Sequence, residues 1–386
     1  MTIPNKSNKP FLTVLFTILL TSGLALSFLV MHSQDALAHG EGFYQQTNLV
    51  SDIAGAARLT DPELVNSWGQ SHSPTGPWVV SDNGTGVATM YQGNGKAVPP
   101  VITIPPPAGS SAGTTATPTG NVFNNTNDFV VSQNGKSSPS QFIFATEDGT
   151  ISGWDPAVNP THAILEVDRS MVKQDAVQGA VYKGLAIGQN GSHNFIYATN
   201  FRFGTVEMFN AQFQLVSSFT DPQLSKDCPR PGQCFAPFGI QNINGKLYVT
   251  FALQDPAKHD DVAALGNGFV DIFDTNGQMI RRLISQGPLN SPWGLALAPN
   301  NFGQFSNDLL VGNFGDGAIN VFNLQTGAFL GRLIDQSGKP IAIDGLWGLA
   351  FGNGGQAGAR NTLFFAAGIN HEADGLFGSI QPENNN

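Results

Sequence analysis

Short hydrophobic runs separated by turn residues recur along most of the chain, and they predict β-strands. Apolar and polar positions alternate in residues 269–273 and 318–322, as expected for strands with one buried face. Turns rich in Gly, Asn and Asp, such as residues 83–86, follow these runs and are typical of hairpins. Only 12% of residues are charged, while Gly (45) and Pro (24) are plentiful, which disfavours long surface helices. The pattern predicts an all-β protein.

A motif at the start of each group of strands recurs and sets the period of the fold. Pro-Trp-Gly-Leu-Ala at 292–296 has near-copies at 346–350, 236–240 and 182–186, and weaker copies at 66–69 and 118–122. We call the glycine of each copy a marker glycine; the six are Gly69, Gly120, Gly184, Gly239, Gly294 and Gly348. Their spacing of about 55 residues predicts one four-stranded unit repeated six times.

The ends of the chain complete this pattern. The sixth unit lacks a fourth strand, and a strand-like run near Leu49 precedes the first unit. Pairing the two would close a ring without an open edge. We therefore expect a six-bladed β-propeller of four-stranded blades over residues 46–381, its N-terminal strand completing the last blade. Residues 39–45 form a short extension before it, and residues 382–386 a disordered tail.

Features of the N-terminus and the cysteines predict export. Lys6 and Lys9 precede an apolar stretch, and Ala36-Leu37-Ala38 predicts a signal peptide over residues 1–38 that is cleaved after Ala38. An uncleaved anchor is the alternative, since the stretch is about long enough to span a bilayer. Cys228 and Cys234 bracket a Pro/Gly turn and predict a disulfide in an oxidising compartment. The expected location is the periplasm, the cell envelope or the medium, with no membrane span after cleavage.

Three motifs resemble those of NHL-type six-bladed propellers. They are the Pro-Trp-Gly-Leu-Ala entry strand, the Gly-Asn-Phe-Gly-Asp-Gly turn at 312–317 and the Thr-Asn-Leu-Val-Ser-Asp opening at 47–52. Over about residues 45–381 the chain is similar to an uncharacterised family of exported bacterial propellers, some of which end in a PEP-CTERM sorting tail. This chain lacks the apolar helix and Arg cluster of that tail after Ile380. The resemblance implies the fold and supplies no reaction.

One face of such a propeller is the expected binding site. Loops that enter the first strands share this face with loops between second and third strands, and two insertions, residues 254–267 and 370–375, lie on it. We call it the loop-rich face, and a funnel there is the default site. The expected binding residues are Asn66, Asn83, Asp148, Tyr182, Asn200, Arg202, Asn313 and Asn370.

The two insertions also carry the candidate metal ligands. Imidazole and carboxylate groups lie close together in both, and such sets suit Ca²⁺ or Zn²⁺. Exposed His/Asp loops without any ligand are the alternative, and no cofactor is certain. The candidate ligands are His259, Asp260, Asp261, His371, Glu372 and Asp374.

Aromatic residues recur beside the marker glycines. Trp68, Phe238, Trp293 and Trp347 occupy one position of the repeat. They would either grip a sugar or another flat ligand as a collar or wedge between neighbouring blades, and their recurrence at equivalent sites favours packing. We expect the marker glycines to permit tight inner packing, because no helix follows them to bind phosphate.

These observations favour a binding module over an enzyme. The formal charge of −10 and the lack of a basic cluster exclude nucleic acid as the expected partner. No phosphate loop or His-Glu-x-x-His motif is present. We therefore expect binding of a small molecule, glycan or protein through the loop-rich face. A metal-dependent hydrolase or lyase that uses the same funnel is the alternative.

Overall fold

Six sheets form the blades of the protein, whose computed structural model describes residues 42–383; the predicted leader lies outside this range. Five of these sheets have four antiparallel strands in sequential order. In the sixth, an N-terminal strand is the fourth antiparallel strand, and a two-residue strand pairs with it in parallel. The first strands of neighbouring sheets contact each other all round the ring, and that of blade 6 meets that of blade 1. The six-bladed propeller predicted from the sequence is confirmed.

The first half of the chain forms three blades. The chain begins with β1 (Tyr44–Ser51), which belongs to blade 6, and β2 (Leu59–Thr60), which pairs with it in parallel. Blade 1 consists of β3 (Ser67–His72), β4 (Trp78–Asp82), β5 (Val87–Tyr91) and β6 (Ile102–Thr103). Blade 2 consists of β7 (Pro118–Phe123), an inserted hairpin of β8 (Val130–Gln133) and β9 (Lys136–Pro139), then β10 (Phe142–Thr146), β11 (Thr150–Trp154) and β12 (Ile164–Asp168). Blade 3 consists of a small hairpin of β13 (Lys173–Gln174) and β14 (Val177–Gln178), then β15 (Tyr182–Asn190), β16 (His193–Asn200), β17 (Thr205–Phe209) and β18 (Leu215–Phe219).

The second half forms the remaining blades. Blade 4 consists of α1 (Leu224–Asp227), β19 (Phe235–Ile243), β20 (Lys246–Leu253), β21 (Phe269–Phe273) and β22 (Met279–Ser285). Blade 5 consists of β23 (Pro292–Leu297), a 3-10 turn (Gly303–Phe305), β24 (Leu309–Asn313), β25 (Ile319–Phe322) and β26 (Phe329–Arg332). Blade 6 consists of β27 (Leu346–Phe351), β28 (Leu363–Gly368), α2 (Ile369–Glu372) and β29 (Asp374–Pro382), followed in the sheet by β1.

Buried apolar side chains fill the spaces between neighbouring blades. Six hydrophobic clusters lie one to each pair of neighbours. Between blades 6 and 1, for example, the Trp78 ring packs against Phe364 at a centroid distance of 5.0 Å and against Phe377 at 6.3 Å. Full burial of one such side chain stabilises the fold by about 1.5–3 kcal/mol, so the blades depend on each other for stability.

The marker glycines hold the first strands together around the axis. A Cβ atom added at Gly294 would lie 2.4 Å from the backbone oxygen of Trp347 in the next blade. One added at Gly348 would lie 2.6 Å from that of Trp68, which closes the ring from blade 6 to blade 1. Real side chains essentially never approach so closely, so glycine at this position allows the inner strands to touch.

The N-terminal strand closes the propeller as predicted. β1 pairs antiparallel with β29, from Tyr44 opposite Pro382 to Ser51 opposite Leu376. Its side chains Tyr44 and Leu49 are buried, and the Tyr44 hydroxyl donates a hydrogen bond of 2.9 Å to the backbone oxygen of Phe302 in blade 5. The strand starts two residues before the predicted boundary of the propeller.

Three further features bear on the sequence predictions. The insertions lie where expected, between β20 and β21 and between β28 and β29, and the disulfide between Cys228 and Cys234 is confirmed. The hairpins β8–β9 and β13–β14 were not expected, because they fall outside the repeating pattern.

The glycine ring makes a graded prediction. A Cβ atom at Gly239 would lie 2.1 Å from the Trp293 backbone oxygen, whereas one at Gly184 would lie 3.0 Å from its nearest atom. We expect Gly239→Ala to lower the free energy of unfolding by about 3 kcal/mol, since overpacking of this kind strains the backbone. Gly184→Ala, at the matched position of blade 3, should cost clearly less. Equal losses in urea denaturation would contradict the proposed contact.

Closure by β1 makes a second prediction. A chain that begins at residue 53 loses the outer strand of blade 6 and exposes the edge of β29. We expect its melting temperature to fall by about 10 °C or more relative to a chain that begins at residue 42, because several kcal/mol of burial and pairing are lost. Differential scanning calorimetry of the two chains measures this difference. Equal melting temperatures would mean that β1 contributes little to closure.

Candidate functional site

Six side chains at equivalent positions point to the centre of the propeller. We call them the hub residues: each immediately precedes a marker glycine in the first strand of its blade. They are Trp68, Thr119, Lys183, Phe238, Trp293 and Trp347. All six are buried. Five are uncharged, so the lysine in blade 3 is the exception.

The aromatic hub residues contact each other across the axis. The Trp68 and Trp347 rings stack with centroids 3.5 Å apart, and Trp293 lies edge-on to both. Phe238 of blade 4 lies 5.6 Å from Trp347 of blade 6. Blades 4 and 6 are not neighbours, and neither are blades 1 and 5. The rings therefore plug the hub. The packing interpretation of the sequence had placed them between neighbouring blades, whereas they pack against one another at the axis.

Lys183 lies on this aromatic plug and carries a buried positive charge. Its Nζ atom lies 5.1 Å from the ring centroid of Trp68 and 5.9 Å from that of Phe201. It forms an ion pair with Glu147 and another, at 3.4 Å, with Asp260. Burial lowers the pKa of Lys183, but the negative charges of Glu147 and Asp260 outweigh it and the pKa is raised. The ammonium is therefore charged at any physiological pH.

Three carboxylates from alternate blades interact electrostatically with this ammonium, and two of them form ion pairs with it. Glu147 lies in the turn between β10 and β11 of blade 2, Asp260 between β20 and β21 of blade 4, and Glu372 before β29 of blade 6. All three occupy the connection between the second and third strands. The ammonium of Lys183 and the three carboxylates act on each other electrostatically. We call Glu147, Lys183, His259, Asp260 and Glu372 the charged cluster.

An imidazole completes the charged cluster on the blade 4 side. His259 Nδ1 lies 2.8 Å from Asp260 Oδ1, and one donor atom each of Glu147, His259 and Asp260 lie within 4.8 Å of one another. The hydrogen bond from His259 and the charge of Lys183 lower the pKa of Asp260 to about 2. Asp260 is therefore ionised at neutral pH. An imidazole with carboxylates at this spacing has the composition of a divalent-metal site.

Glu372 differs from the other carboxylates. Its Oε1 atom is buried and has no hydrogen-bond partner among residues 42–383. Burial, together with the negative charge of Glu147, raises the pKa of Glu372 to about 7. The backbone holds it in place through a left-handed turn, with φ of 55°, 56° and 64° at Asn370, His371 and Glu372. Such a conformation costs roughly 1–2 kcal/mol per residue, so the rest of blade 6 must maintain it.

A chain of amides links the charged cluster to the aromatic plug. Asn83 Nδ2 donates a 2.9 Å hydrogen bond to Glu147 Oε2, and Asn66 Nδ2 donates one of 3.3 Å to Asn83 Oδ1. The indole nitrogen of Trp68 in turn donates to Asn66 Oδ1 at 3.0 Å. Two residues predicted from the sequence as binding residues, Asn66 and Asn83, therefore fix the geometry of the charged cluster.

The other predicted binding residues hydrogen-bond within their own or adjoining loops. Asp148 accepts two hydrogen bonds from Thr117. Both Tyr182 and Asn200 donate to Glu207. Arg202 donates to the backbone oxygen of Gln178, Asn313 to Asp316, and Asn370 to Asp374. Each of these hydrogen bonds stabilises a turn or a blade of the fold. They lie on the loop-rich face without joining the charged cluster.

The predicted metal ligands divide in the same way. His259, Asp260 and Glu372 belong to the charged cluster. Asp261 follows Asp260 in the chain, its pKa is raised by burial, and it interacts electrostatically with Lys183 without an ion pair. His371 is exposed, and Asp374 accepts a 2.9 Å bond from Asn370. The structure therefore brings together half of the predicted set, and places the other half around it.

Two members of the charged cluster, Glu147 and Lys183, were not expected from the sequence. A signal for Lys183 was present, because it replaces the aromatic or neutral hub residue found in every other copy of the motif. Glu147 is adjacent to Asp148, and Asp148 was the residue that the sequence analysis predicted to bind a ligand. Nothing in a single turn indicates which of two neighbouring carboxylates points to the axis.

A second recess lies at the opposite end of the hub. It has a volume of about 720 Å³ and is lined by the far ends of the first strands of blades 1 to 4. His72, at the end of β3, is part of this lining. The hub therefore has two distinct ends, one charged and one lined largely by side-chain amides, with the aromatic plug between them.

Comparison with known proteins identifies relatives of the whole propeller. An uncharacterised protein of Acanthamoeba polyphaga mimivirus is 31% identical over 333 residues, which cover 86% of this chain and 78% of the relative. The chain belongs to the same family. A second uncharacterised protein of that virus is 29% identical over 333 residues, covering 86% of this chain and 84% of its own. No model of a known protein family matches the chain. Because these relatives are viral, the bacterial kinship implied by the sequence motifs stays a prediction.

Solved structures with the same fold include two enzymes. A streptogramin B lyase matches 89% of this chain and 98% of its own length with a TM-score of 0.50 at 11% identity. The soluble aldose sugar dehydrogenase of Escherichia coli matches 88% of this chain and 100% of its own, with a TM-score of 0.50 at 11% identity. At this identity the similarity shows the fold alone. Within residues 42–383, no helix is long and apolar enough to cross a membrane.

The raised pKa of Glu372 predicts a pH-dependent stability. A carboxyl whose pKa is about 7 when folded and near 4.5 when unfolded binds its proton more tightly in the folded state. Its contribution to stability is complete below about pH 4.5 and is lost as the pH rises through 7. We expect the wild-type protein to lose about 2 kcal/mol relative to Glu372→Gln between pH 5 and pH 8.

Urea denaturation of both proteins at the two pH values, in the presence of EDTA, measures this difference. Other buried carboxyls, such as Asp271 with a pKa of about 8, are common to both proteins and cancel in the comparison. A pH dependence that is identical in the two proteins would show that Glu372 titrates normally.

Proposed function

We propose that the protein is an exported ligand-binding β-propeller that uses the charged cluster at the loop-rich face, and that the first species bound there is a divalent cation. One observation carries this proposal: donor atoms of Glu147, His259 and Asp260, from blades 2 and 4, lie within 4.8 Å of one another, and Glu372 of blade 6 interacts electrostatically with Glu147 and Asp260. Side chains so far apart in sequence meet there because the propeller places equivalent loops around one axis.

The charge balance of the cluster supports a cation. Lys183 forms ion pairs with Glu147 and Asp260, and the guanidinium of Arg202 also acts on both electrostatically. Together with Glu372, the three carboxylates still outnumber these two cations, so full ionisation leaves an excess of negative charge. The mutual repulsion of Glu147 and Glu372 is part of what raises the pKa of Glu372. A divalent ion would relieve this repulsion and supply a partner for the buried Oε1 atom of Glu372. Oxygen-rich sites of this kind suit Ca²⁺, and the imidazole of His259 also suits Zn²⁺ or Mn²⁺.

Lys183 sets the expected strength of the binding. Its ammonium already lies between Glu147 and Asp260, so a divalent ion must compete with it or displace it. We therefore expect a dissociation constant in the range of weak extracellular calcium modules, about 0.1–1 mM. A bound ion would in turn coordinate an anionic or carbonyl group of a larger ligand at the mouth of the hub.

A metal-dependent hydrolase or lyase is the second candidate function. The observation in its favour is the pKa of Glu372, which at about 7 is near the optimum for a general acid or base. A lyase shares the fold at 11% identity, a level that gives no support to a shared activity. Binding is the function proposed first, because it requires only the group of ligand atoms itself.

Calorimetric titration with CaCl₂, MnCl₂ and ZnCl₂ after removal of metals with EDTA tests the proposal. Glu147→Gln and Asp260→Asn should weaken the binding about tenfold or more, since each removes one charged ligand. Lys183→Met should strengthen it, because the competing charge disappears while the side-chain length is kept. Glu63→Gln, which removes a carboxylate outside the cluster, is the matched control and should bind as the wild type does.

The proposal fails if none of the three ions binds at about 1 mM, or if Lys183→Met leaves the affinity unchanged. The second candidate has its own readout. Turnover of an ester or lactone panel by the metal-loaded protein, abolished in Glu372→Gln and with a pH midpoint near 7, would favour the enzyme over the binding module.

A further inference from the structure

The recess at the far end of the hub has a lining of unusual composition. Seven side-chain amides line it, including Gln70, Asn121, Gln189 and Gln241, and we call it the amide pocket. No Asp, Glu, Lys or Arg of residues 42–383 is among its lining residues. Its volume of about 720 Å³ lies within the range of small-molecule sites, about 300–1,000 Å³. The pocket is therefore large enough for a ligand, and its chemistry is uncharged.

The one titratable residue of the lining is already occupied. The two ring nitrogens of His72 each lie 2.9 Å from a backbone carbonyl oxygen, those of Ser73 and Phe351. Its ring also packs edge-on against Trp78, with centroids 4.6 Å apart. His72 therefore serves as a wall of the pocket, and recognition is left to the amides.

Several of these amides have hydrogen-bonding capacity to spare. The side chains of Gln189, Gln241 and Asn125 are exposed and make no hydrogen bond to any other described residue. Gln70 donates through Nε2 to the Phe364 backbone oxygen at 2.7 Å, while its buried Oε1 atom has no partner. A free amide offers a donor and an acceptor together, which is the complement of a hydroxyl group.

Other amides of the lining give the pocket a fixed shape. Asn121 Nδ2 donates to the Gly69 backbone oxygen and to Ser81 Oγ, each at 2.9 Å, and ties blade 2 to blade 1. Asn242 Nδ2 donates at 2.9 Å to the Ile187 backbone oxygen and ties blade 4 to blade 3. Phe123 and Ile187 add apolar surface beside them. The free amides thus project from a wall that is already rigid.

We propose that the amide pocket binds an uncharged carbohydrate of about two or three sugar units. Paired donors and acceptors match the hydroxyl groups of a sugar, and the apolar side chains match its C–H faces. The absence of charge from the lining disfavours uronic acids, sialic acids and phosphorylated sugars, whose charge would lose its hydration without gaining a partner. This site is separate from the charged cluster and does not depend on the cation proposed there.

Titration calorimetry with maltotriose, cellotriose, xylotriose and chitotriose, in buffer with EDTA, tests this proposal. We expect at least one of these neutral trisaccharides to bind with a dissociation constant below about 1 mM. The double variant Gln189→Ala/Gln241→Ala should weaken that binding at least tenfold, since it removes two free amides that no hydrogen bond of the fold uses. Gln212→Ala, which removes an exposed amide from the outer turn between β17 and β18, should leave the binding unchanged.

No binding of any of the four trisaccharides at about 10 mM would overturn the proposal, as would binding that the double variant retains in full. Stronger binding of trigalacturonate, an anionic trisaccharide, would also contradict it. Lys183→Met and Glu147→Gln should bind the neutral sugar as the wild type does. Failure of the cation proposal and failure of the sugar proposal are therefore distinguishable in the same set of proteins.

Discussion

The close contact of the six first strands at the axis is the constraint on which the rest of the structure depends. At five of the six marker glycines, an added Cβ atom would lie within 2.6 Å of an atom of the next blade. This spacing lets the hub residues of non-neighbouring blades meet, as Phe238 and Trp347 do. A wider ring would leave an open channel, and a narrower one would exclude the indoles. Glycine at this one position therefore determines whether the axis is plugged or open.

The plug explains why a lysine can be buried in the hub. Lys183 replaces an uncharged hub residue, and its Nζ atom rests over the Trp68 ring, where the π-electrons compensate for part of the lost hydration. Glu147 and Asp260 supply the rest through ion pairs. Removal of a single carboxylate would leave a buried charge without a full complement of partners. The members of the charged cluster thus depend on each other, and the three second-to-third strand loops are held in a common arrangement.

Much of the fold could be predicted from the sequence because a repeat multiplies a weak signal. One Pro-Trp-Gly motif says little, whereas six glycines at a near-constant spacing indicate the blade number. The closure by β1 followed from the same count, since one strand was missing at one end and one was in excess at the other. The hairpins β8–β9 and β13–β14 occur once each, and a pattern that does not recur cannot be recognised by its period.

The site was harder to predict because it depends on direction, which spacing alone does not give. Asp148 and Glu147 are neighbours in one turn, yet Asp148 accepts hydrogen bonds from Thr117 while Glu147 reaches Lys183. The amides of the far pocket come from strand ends at different offsets from the marker glycine, such as Gln70 and Gln241, so no repeat position marked them. Exceptions to a repeat were the better guide. Lys183 differs from its five equivalents, and a charged residue at a position that packing reserves for uncharged ones must be explained by the residues it contacts.

The same ring also separates the two ends of the hub. The charged cluster lies on the side where the first strands begin, and the amide pocket lies on the side where they end. Between them stand the buried rings of Trp68, Trp293 and Trp347. The charged cluster at one end is therefore separated from the amide pocket at the other. For this reason the lining of the amide pocket can be uncharged in a chain of net charge −10. A propeller with an open channel would join both ends into a single solvated funnel. Because this one is plugged, each end can have its own chemistry.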